Sequence, residues 1–169
     1  ITTEITPTER AVRFRMTFSE ADSSWVIVDA FDDGSYIKVI PEEQKVVGYT
    51  TKNSGGVPDN FRNYFILVFD KPFDISSVWS DSKIVEDVLE LEEDHVGAAV
   101  GFKTVRGEQV NIKVASSFIS HEQAERNLRE LDDGNFDQVK AYRRHISNSE
   151  LERIQVSGVN IDQTRIFYT

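Results

Sequence analysis

The chain has 169 residues, of which 39% are hydrophobic and 28% are charged, and its formal net charge at pH 7 is −10. This composition is typical of a globular domain and excludes a disordered segment, while the length suits one domain with its own core. Because a strongly acidic surface repels a phosphate backbone, we expect no nucleic-acid partner. The sequence contains no cysteine, which excludes disulfides, thiolate metal ligands and cysteine nucleophiles.

Hydrophobic residues in the first 117 positions recur with the period of β-strands. Residues 12–18 alternate apolar and polar side chains, which is the pattern of a half-buried strand. Residues 25–28 and 64–69 are apolar on both faces, as expected of central strands, and we interpret Trp25 as a core residue. Further strands are expected at residues 36–40, 46–51, 96–102 and 110–114. No apolar run approaches the roughly 20 residues of a membrane span, so none is expected.

Turn-forming residues separate these strands, for example Asp32-Asp33-Gly34. Eight or nine short strands at such spacing predict a mainly β fold, an antiparallel sandwich or barrel. One face of residues 96–102 holds only Gly97, Ala99 and Gly101. We expect another sheet, helix or domain to approach this bare face closely.

After Ser117 the period changes to that of helices. A first helix is predicted over residues 121–131, with Ser120 as its N-cap and Gln123 completing a capping box. A second helix is predicted from about Phe136, with an apolar stripe that slips in phase at residues 147–149. Asn160 and Gln163 predict the cap of a third helix.

The first of these helices opens with His121-Glu122, which is also how the His-Glu-x-x-His zinc proteases begin their motif. The position of the second histidine holds Glu125 here. The zinc site needs two imidazoles one helical turn apart, so the motif is not completed. The capped helix start explains the same residues, and we predict no metal site at this position.

The other polar clusters also favour structural roles. Residues 132–137 are rich in Asp, Gly and Asn, as calcium-binding loops are. They lack the alternating carboxylates and terminal Glu of an EF-hand, so an inter-helix turn is predicted. The same interpretation holds for the remaining polar candidates, none of which completes a catalytic or metal-binding motif: Asp29, Asp32, Asp33, His95, His121, His145, Ser116 and Ser117. No catalytic residue and no metal ligand is therefore predicted.

Trp79 is the one candidate for substrate binding. It lies in the polar segment Ser77-Val78-Trp79-Ser80-Asp81, and an aromatic side chain on a sandwich surface can stack on the apolar face of a sugar ring. The alternative is that Trp79 is buried. Glycosidases use a pair of carboxylates, but nothing in so acidic a sequence singles out a pair.

The two ends of the sequence predict a piece of a longer protein. The chain starts at Ile1 in extended-looking sequence without an initiator Met, and it stops at apolar residues 166–168. A natural terminus usually frays in polar residues.

Several stretches together resemble the N-terminal region of glycoside hydrolase family 92, the α-1,2-mannosidases. In chain order they read ITTEITPTERAVRFRMTF, GGVPDNFRNYFILVFDKPF, VASSFISHEQAERNL and LERIQVSGVNIDQTRIFYT. The most specific parts are Ser-Phe-Ile-Ser-x-Glu-Gln-Ala-x-x-Asn-Leu and the closing Phe-Tyr-Thr. One departure is Ser147, where the family typically carries a Trp.

The resemblance implies an antiparallel β-sandwich of the supersandwich type over residues 1–119, incomplete at its N-terminus. Residues 120–169 would be linker helices leading to an absent (α/α)6 catalytic barrel, which is the partner of the sandwich in the parent enzyme. Family members are calcium-dependent, inverting exo-α-mannosidases that trim mannose-containing glycans, usually exported to the periplasm or beyond. Their acid, base and calcium ligands lie mostly in the barrel, so the resemblance places no catalytic residue and no cofactor in this chain.

Three functions are therefore open at the level of sequence. The first is a non-catalytic scaffold that supports the catalytic barrel of an α-mannosidase. The second is an autonomous carbohydrate-binding module that uses surface aromatic residues, and the third is a structural or interaction sandwich unrelated to sugars. The burial of Trp79 separates the first two, because a buried indole cannot stack on a sugar.

Overall fold

The computed structural model describes residues 1–132, 134–158 and 160–168, and within these it contains eleven β-strands and three α-helices. The strands are β1 (Thr2–Pro7), β2 (Ala11–Thr17), β3 (Ala21–Asp29), β4 (Ser35–Ile40), β5 (Lys45–Thr50), β6 (Asn63–Phe69), β7 (Ile75–Ser80), β8 (Lys83–Val85), β9 (Glu90–Glu93), β10 (Val96–Thr104) and β11 (Gln109–Ser117). The helices are α1 (His121–Leu128), α2 (Phe136–Leu151) and α3 (Ile161–Phe167).

The strands form two antiparallel sheets, which confirms the predicted mainly β sandwich followed by helices. The larger sheet has the order β1-β2-β11-β6-β5-β4-β9, and the smaller has the order β3-β10-β7-β8. The prediction of eight or nine strands is too low. Strands as short as β8 and β9, with three and four residues, are too brief for an alternating pattern to emerge.

The hydrophobic core lies between the two sheets. Val78, Val96 and Val100 of the smaller sheet are fully buried, and they face residues such as Ile37 and Val110 of the larger sheet. Each of these residues has an outward-facing neighbour in sequence, as the two-residue period of a strand requires. The core therefore uses only one face of the smaller sheet and leaves its other face open.

The helices cover part of the opposite face of the larger sheet. Ala124 and Leu128 of α1 and Val139 of α2 form a second apolar cluster with Ala11 and Ala115 of the sheet. These contacts bury Ala11 at the start of β2, and Arg13 is buried on the same side, while the other residues of the strand are partly buried. Beyond Val139, α2 leaves the sheet, and a cleft of about 720 Å³ opens between this helix and the β1–β2 turn.

The prediction for residues 25–28 is wrong. Strand β3 is the end strand of its sheet and not a central one. Val26 and Val28 face the core, whereas Trp25 is 39% exposed and Ile27 is 60% exposed on the opposite face. An apolar run on both faces is compatible with a central strand or with an end strand whose outer face is apolar, and only the strand order distinguishes them.

Local hydrogen bonds set the helix starts. The Ser120 hydroxyl accepts from the backbone N–H of Gln123 at 3.2 Å, but the Gln123 side chain donates to Asn127 instead of to the cap, so the capping box is half formed. Both bonds of the box are present at Asn160 and Gln163 of α3. After Leu128 the first helix tightens into the 3-10 turn Arg129–Leu131, and α2 runs without a break through residues 147–149.

The described residues before Ser120 contain one helical turn, the 3-10 turn Pro41–Glu43. No helix in the described ranges has both the length and the apolar character needed to cross a bilayer.

Candidate functional site

Trp79 is the penultimate residue of β7 and lies on the outer face of the smaller sheet. Its sequence neighbour Val78 points into the core, so Trp79 points away from it and remains half-buried. Its direct cross-strand partner is Gly97 of β10. A Cβ placed on Gly97 would lie 2.1 Å from Cζ2 of Trp79, so the indole occupies the space that a side chain on β10 would take.

Trp25 makes the equivalent contact at the other end of β10. It pairs with Gly101, and a Cβ placed there would lie 2.9 to 3.1 Å from three atoms of its six-membered ring. Such similar distances mean that the face of the ring lies over the glycine. Two indole rings from the neighbouring strands therefore fill the bare face of residues 96–102, and no other sheet or helix of the described residues covers it, in contrast to the expected approach of another element.

We call this surface the indole face. Besides the two indoles and the bare positions of β10, it holds three exposed aliphatic residues: Ile27, Ile75 and Ile84. Cross-strand pairing places Ile27 beside Ala99, Ile75 beside Gly101 and Ile84 beside Trp79, which puts them on the same side of the sheet. The result is a mostly apolar surface that faces solvent in this structure.

A polar pair borders the indole face next to Trp79. The His95 ring lies 5.1 Å from the Trp79 ring, centroid to centroid, and its Nε2 is 2.9 Å from Oδ1 of Asp29. The same Oδ1 accepts from the backbone N–H of Phe31 at 2.8 Å. Asp29 therefore fixes the orientation of His95, and the pair supplies hydrogen-bonding groups at the edge of an apolar surface.

A second notable region is the junction between the larger sheet and the helices. Arg13 is only 8% exposed, and its two terminal nitrogens donate to the carbonyl oxygens of Leu131 at 2.5 Å and Gly134 at 2.8 Å. Burial lowers the pKa of this guanidinium. The side chain thus holds the turn between α1 and α2 against the sheet.

Arg15, two residues along the same face, ties the sheet to α2 itself. Its guanidinium donates to Glu4 at 2.7 Å and to Asp137 at 2.9 Å, and it lies 4.3 Å from the centroid of the Phe136 ring. Lys140 adds a bond to Glu4 at 3.1 Å. These contacts fix the direction in which α2 leaves the sandwich.

The comparison with protein families identifies this fold. The model of the glycosyl hydrolase family 92 N-terminal domain matches residues 1–117, which include every strand. The chain belongs to glycosyl hydrolase family 92. No curated protein matches the sequence.

Solved structures of family 92 proteins share this fold. The inverting mannosidase BT2199 from Bacteroides thetaiotaomicron is 35% identical, with a TM-score of 0.92 over 98% of this chain. The α-mannosidase BT3965 from the same species is 25% identical, with a TM-score of 0.84 over 93% of the chain. The family 92 glycosyl hydrolase ccman5 has the same fold at 21% identity, with a TM-score of 0.85 over 99% of the chain. The chain spans 23% of the length of each of these three proteins.

The family 92 resemblance raises the question of a calcium site. Within the described ranges, no three His, Asp or Glu side chains form a group that could hold an ion. Asp132 binds Lys113 at 2.9 Å, and Asp137 binds Arg15, while Asp133 lies outside the described residues. Asn135 caps α2. The turn at residues 132–137 thus directs its described side chains to the protein, and we assign no calcium ligand to it.

The remaining polar candidates also contact their own fold. His121 donates to the carbonyl oxygen of Gly48 at 3.0 Å, and Glu125 is 3.6 Å from Lys45. Lys52 binds Asp32 at 2.8 Å and Asp33 at 2.7 Å, and its hydrogen bond lowers the pKa of the Asp32 carboxyl. His145 is exposed on α2.

The serines at the end of β11 bond to the segment that follows them. The Ser117 hydroxyl accepts from the N–H of Ile119 at 3.0 Å, and the carbonyl oxygen of Ser116 accepts from the Asn127 side chain at 2.8 Å.

Sequence reasoning missed a row of three tyrosines on the larger sheet. Tyr36, Tyr49 and Tyr64 are direct partners across β4, β5 and β6, and the rings of Tyr36 and Tyr49 stack at 5.5 Å. The Tyr36 hydroxyl donates to Glu90 at 2.8 Å, and burial raises its pKa. Because the three residues are far apart in sequence, only the register of the sheet could have revealed the row.

Trp25 was missed for a different reason, and here the sequence did contain a signal. An indole can fill the space above a glycine on the neighbouring strand. The bare face of residues 96–102 therefore pointed to aromatic partners on the adjacent strands.

Proposed function

We propose that this chain is the non-catalytic β-sandwich part of a longer family 92 exo-α-mannosidase, and that it supports the catalytic domain. The observation that carries the proposal is the family match over residues 1–117 together with the likeness to an inverting mannosidase over 98% of the chain. The relatives are more than four times as long as the matched region. The longer enzyme therefore has room for a separate catalytic domain.

The proposed reaction needs groups that we place outside this chain. Inversion at a sugar carbon requires an acid and a base carboxylate about 6.5–9.5 Å apart, so that one water fits between the base and the sugar. Many carboxylates here are paired with Lys or Arg in ordinary ion pairs, such as Glu4 with Arg15 and Glu108 with Lys71. Carboxylates held in this way stay ionised, and neither suits a general acid, which must hold a proton at neutral pH.

The calcium dependence and the cellular location belong to the same proposal. We place the calcium ligands in the catalytic domain, because the described residues here form no group that could hold the ion. When bound, the calcium would help position the mannose ring. The family resemblance further supports an exported enzyme, in the periplasm or outside the cell, where α-linked mannose of glycans is accessible.

The scaffold role is supported by the junction around Arg13 and Arg15. Arg13 binds the carbonyl oxygen of Leu131 in the turn before α2, and Arg15 binds Asp137 in the first turn of the helix, so α2 leaves the sandwich in a defined direction. Further on, Ile154, Ile161 and Ile166 are exposed. We propose that these apolar side chains pack against the catalytic domain.

The proposal is tested by comparing the isolated chain with the intact enzyme. We expect the intact enzyme to release mannose from α-mannosides with inversion, and to lose this activity to a calcium chelator. The isolated chain should hydrolyse neither aryl α-mannosides nor mannobiose, because binding surface without an acid and a base stabilises no transition state. Turnover by the isolated chain that is abolished by changing one of its own Asp or Glu residues would overturn the scaffold role. An intact enzyme that cleaves another glycan but no α-mannoside would overturn the substrate.

A further inference from the structure

The indole face has the features of a ligand-binding surface rather than of a sheet that is merely open to solvent. Both tryptophans of the chain lie on it. Each indole rests on a glycine and keeps part of its surface exposed, with Trp25 at 39%. An aromatic side chain laid over a cross-strand glycine stabilises the sheet. That role alone does not require three exposed isoleucines around the rings.

The two indoles are held at a fixed spacing. Gly97 and Gly101 are four residues apart on β10, which corresponds to about 13 Å along the strand. Because each ring is seated on its glycine, neither can fold away from the sheet without losing that contact. A ligand that meets both rings must therefore be extended and longer than one sugar ring.

The strip between the indoles is uncharged. It holds Ile27, Ala99 and Ser77, paired side by side across three strands. The net charge of −10 on the chain repels an anionic ligand, and the strip carries no positive charge to offset that repulsion. A neutral ligand meets no such repulsion. The polar pair His95 and Asp29 lies at one end, next to Trp79.

We propose that the indole face binds a neutral, extended glycan. The C–H face of a pyranose ring stacks on an indole, and hydroxyl groups at the ring edge can bond to His95, Asp29 and Ser77. The choice of a mannose-containing glycan rests on the proposed function. The site would hold the polymeric substrate at a surface that contributes no catalytic group, and so would raise its local concentration near the enzyme.

The tryptophans themselves provide the test. Because the only tryptophans of the chain are Trp25 and Trp79, fluorescence excited selectively at tryptophan reports on this face alone. Titration of the isolated chain with soluble α-mannan should give a saturable change in fluorescence, and a native gel containing α-mannan should retard the chain. Trp25→Ala and Trp79→Ala should each weaken retardation about tenfold, the effect of losing one aromatic stacking contact.

Three further variants make the result specific. Trp79→Phe keeps an aromatic face and should restore much of the binding lost in Trp79→Ala. Ile75→Asp introduces a charge beside Gly101 and should weaken binding. Because Ile75 is exposed, this variant should fold, so it tests the indole face even if Trp25→Ala does not fold. Tyr142→Ala removes an exposed aromatic residue on α2 and should leave binding unchanged.

Several results would overturn the proposal. The first is that neither the tryptophan fluorescence nor the gel mobility of the chain responds to α-mannan. The second is that α-mannan still retards both the Trp25→Ala and the Ile75→Asp variants. In the intact enzyme, the variants should reduce retardation by α-mannan while turnover of small aryl α-mannosides is kept. If they instead abolish turnover and leave retardation unchanged, the indole face is a domain interface. If the intact enzyme is inactive on α-mannosides, the proposed function is overturned, but binding of α-mannan to the indole face is still decided by the titration.

Discussion

At the scale of single residues, the two glycines under the indoles differ in how much room they leave. A Cβ on Gly97 would lie 2.1 Å from Trp79 and 2.4 Å from the backbone oxygen of Val28, whereas a Cβ on Gly101 would first meet exposed Trp25 at 2.9 Å. Backbone cannot move aside as an exposed ring can. The same substitution should therefore have different consequences at two positions of one strand.

We expect Gly97→Ala to lower the free energy of unfolding by about 1–3 kcal/mol, the usual effect of forcing an extra methyl group into packed structure. Gly101→Ala is the matched control, and it should cost clearly less because Trp25 can shift into solvent. Urea denaturation of both variants measures the difference. An equal loss of unfolding free energy at the two positions would show that the contact with the Val28 backbone oxygen does not account for the cost of Gly97→Ala.

Arg13 is the buried residue that most directly joins the sandwich to the helices. Two carbonyl oxygens depend on its guanidinium, those of Leu131 and Gly134, and its Nε has no hydrogen-bond partner in the described structure. Replacing it by an apolar side chain of similar length would leave both carbonyls without their donor. Unpaired buried polar groups are costly, even though burial of a guanidinium is itself unfavourable.

Arg13→Met should accordingly lower the free energy of unfolding by about 1.5–3 kcal/mol, the range for hydrogen bonds to a charged donor. Arg106→Met, in the exposed β10–β11 turn, is the control and should change it little. Hydrogen exchange would locate the effect, with faster exchange in α1 and the start of α2. Unchanged exchange there would argue that Arg13 does not hold the turn.

At the scale of elements, α2 depends on ion pairs for its attachment. Among its described residues only Phe136 and Val139 are buried, and the rest of the contact comes from Arg15, Glu4 and Lys140. The hydrogen bond from Arg15, and then that from Lys140, lowers the pKa of Glu4 below its ordinary value of 4.5. A carboxylate with a lowered pKa in the folded state stabilises the fold above its unfolded pKa, and this contribution is lost as pH falls through the folded pKa.

The attachment of α2 should therefore weaken as the pH drops below about 4.5 and towards the folded pKa of Glu4. Unfolding free energies of the wild-type chain and Glu4→Gln should differ at neutral pH and converge in acid. Glu86→Gln, an exposed change after β8, should show no such convergence. A difference that persists unchanged into strong acid would contradict this account of Glu4.

At the scale of the whole molecule, two surfaces each gather several exposed apolar residues. One is the indole face, and the other is the C-terminal region, where Ile154, Ile161, Ile166 and Phe167 are exposed. The Tyr168 hydroxyl donates there to the carbonyl oxygen of Ile154 at 2.6 Å. Exposed apolar patches of this kind favour association with another surface.

We expect the isolated chain to self-associate through its C-terminal region or to keep α3 mobile. Ile166→Ser combined with Phe167→Ser should reduce association, measured by sedimentation at several concentrations, because it removes apolar surface without touching the core. Ile27→Ser, on the indole face, is the matched control and separates the two surfaces. A chain that is monomeric at all concentrations, with slow exchange in α3, would refute the expectation.

The sequence by itself determined the local structure of this protein. The two-residue period up to residue 117, turn residues such as Asp33 and Gly34, and the caps at Ser120 and Asn160 each act over a few residues, so they could be predicted without knowing the fold. The resemblance to family 92 rested on residues that can be read in order along the chain, and the family match confirmed it.

The tertiary structure alone decided which surfaces these elements present. Strand order placed β3 at an end of its sheet, and no other described element covers the outer face of that sheet, so Trp25 is exposed although its apolar neighbours indicated a core position. Register placed both indoles on glycines of one strand, and it aligned the three tyrosines. The physical reason is that side-chain pattern fixes which residues share a face, whereas pairing between distant strands fixes what that face meets.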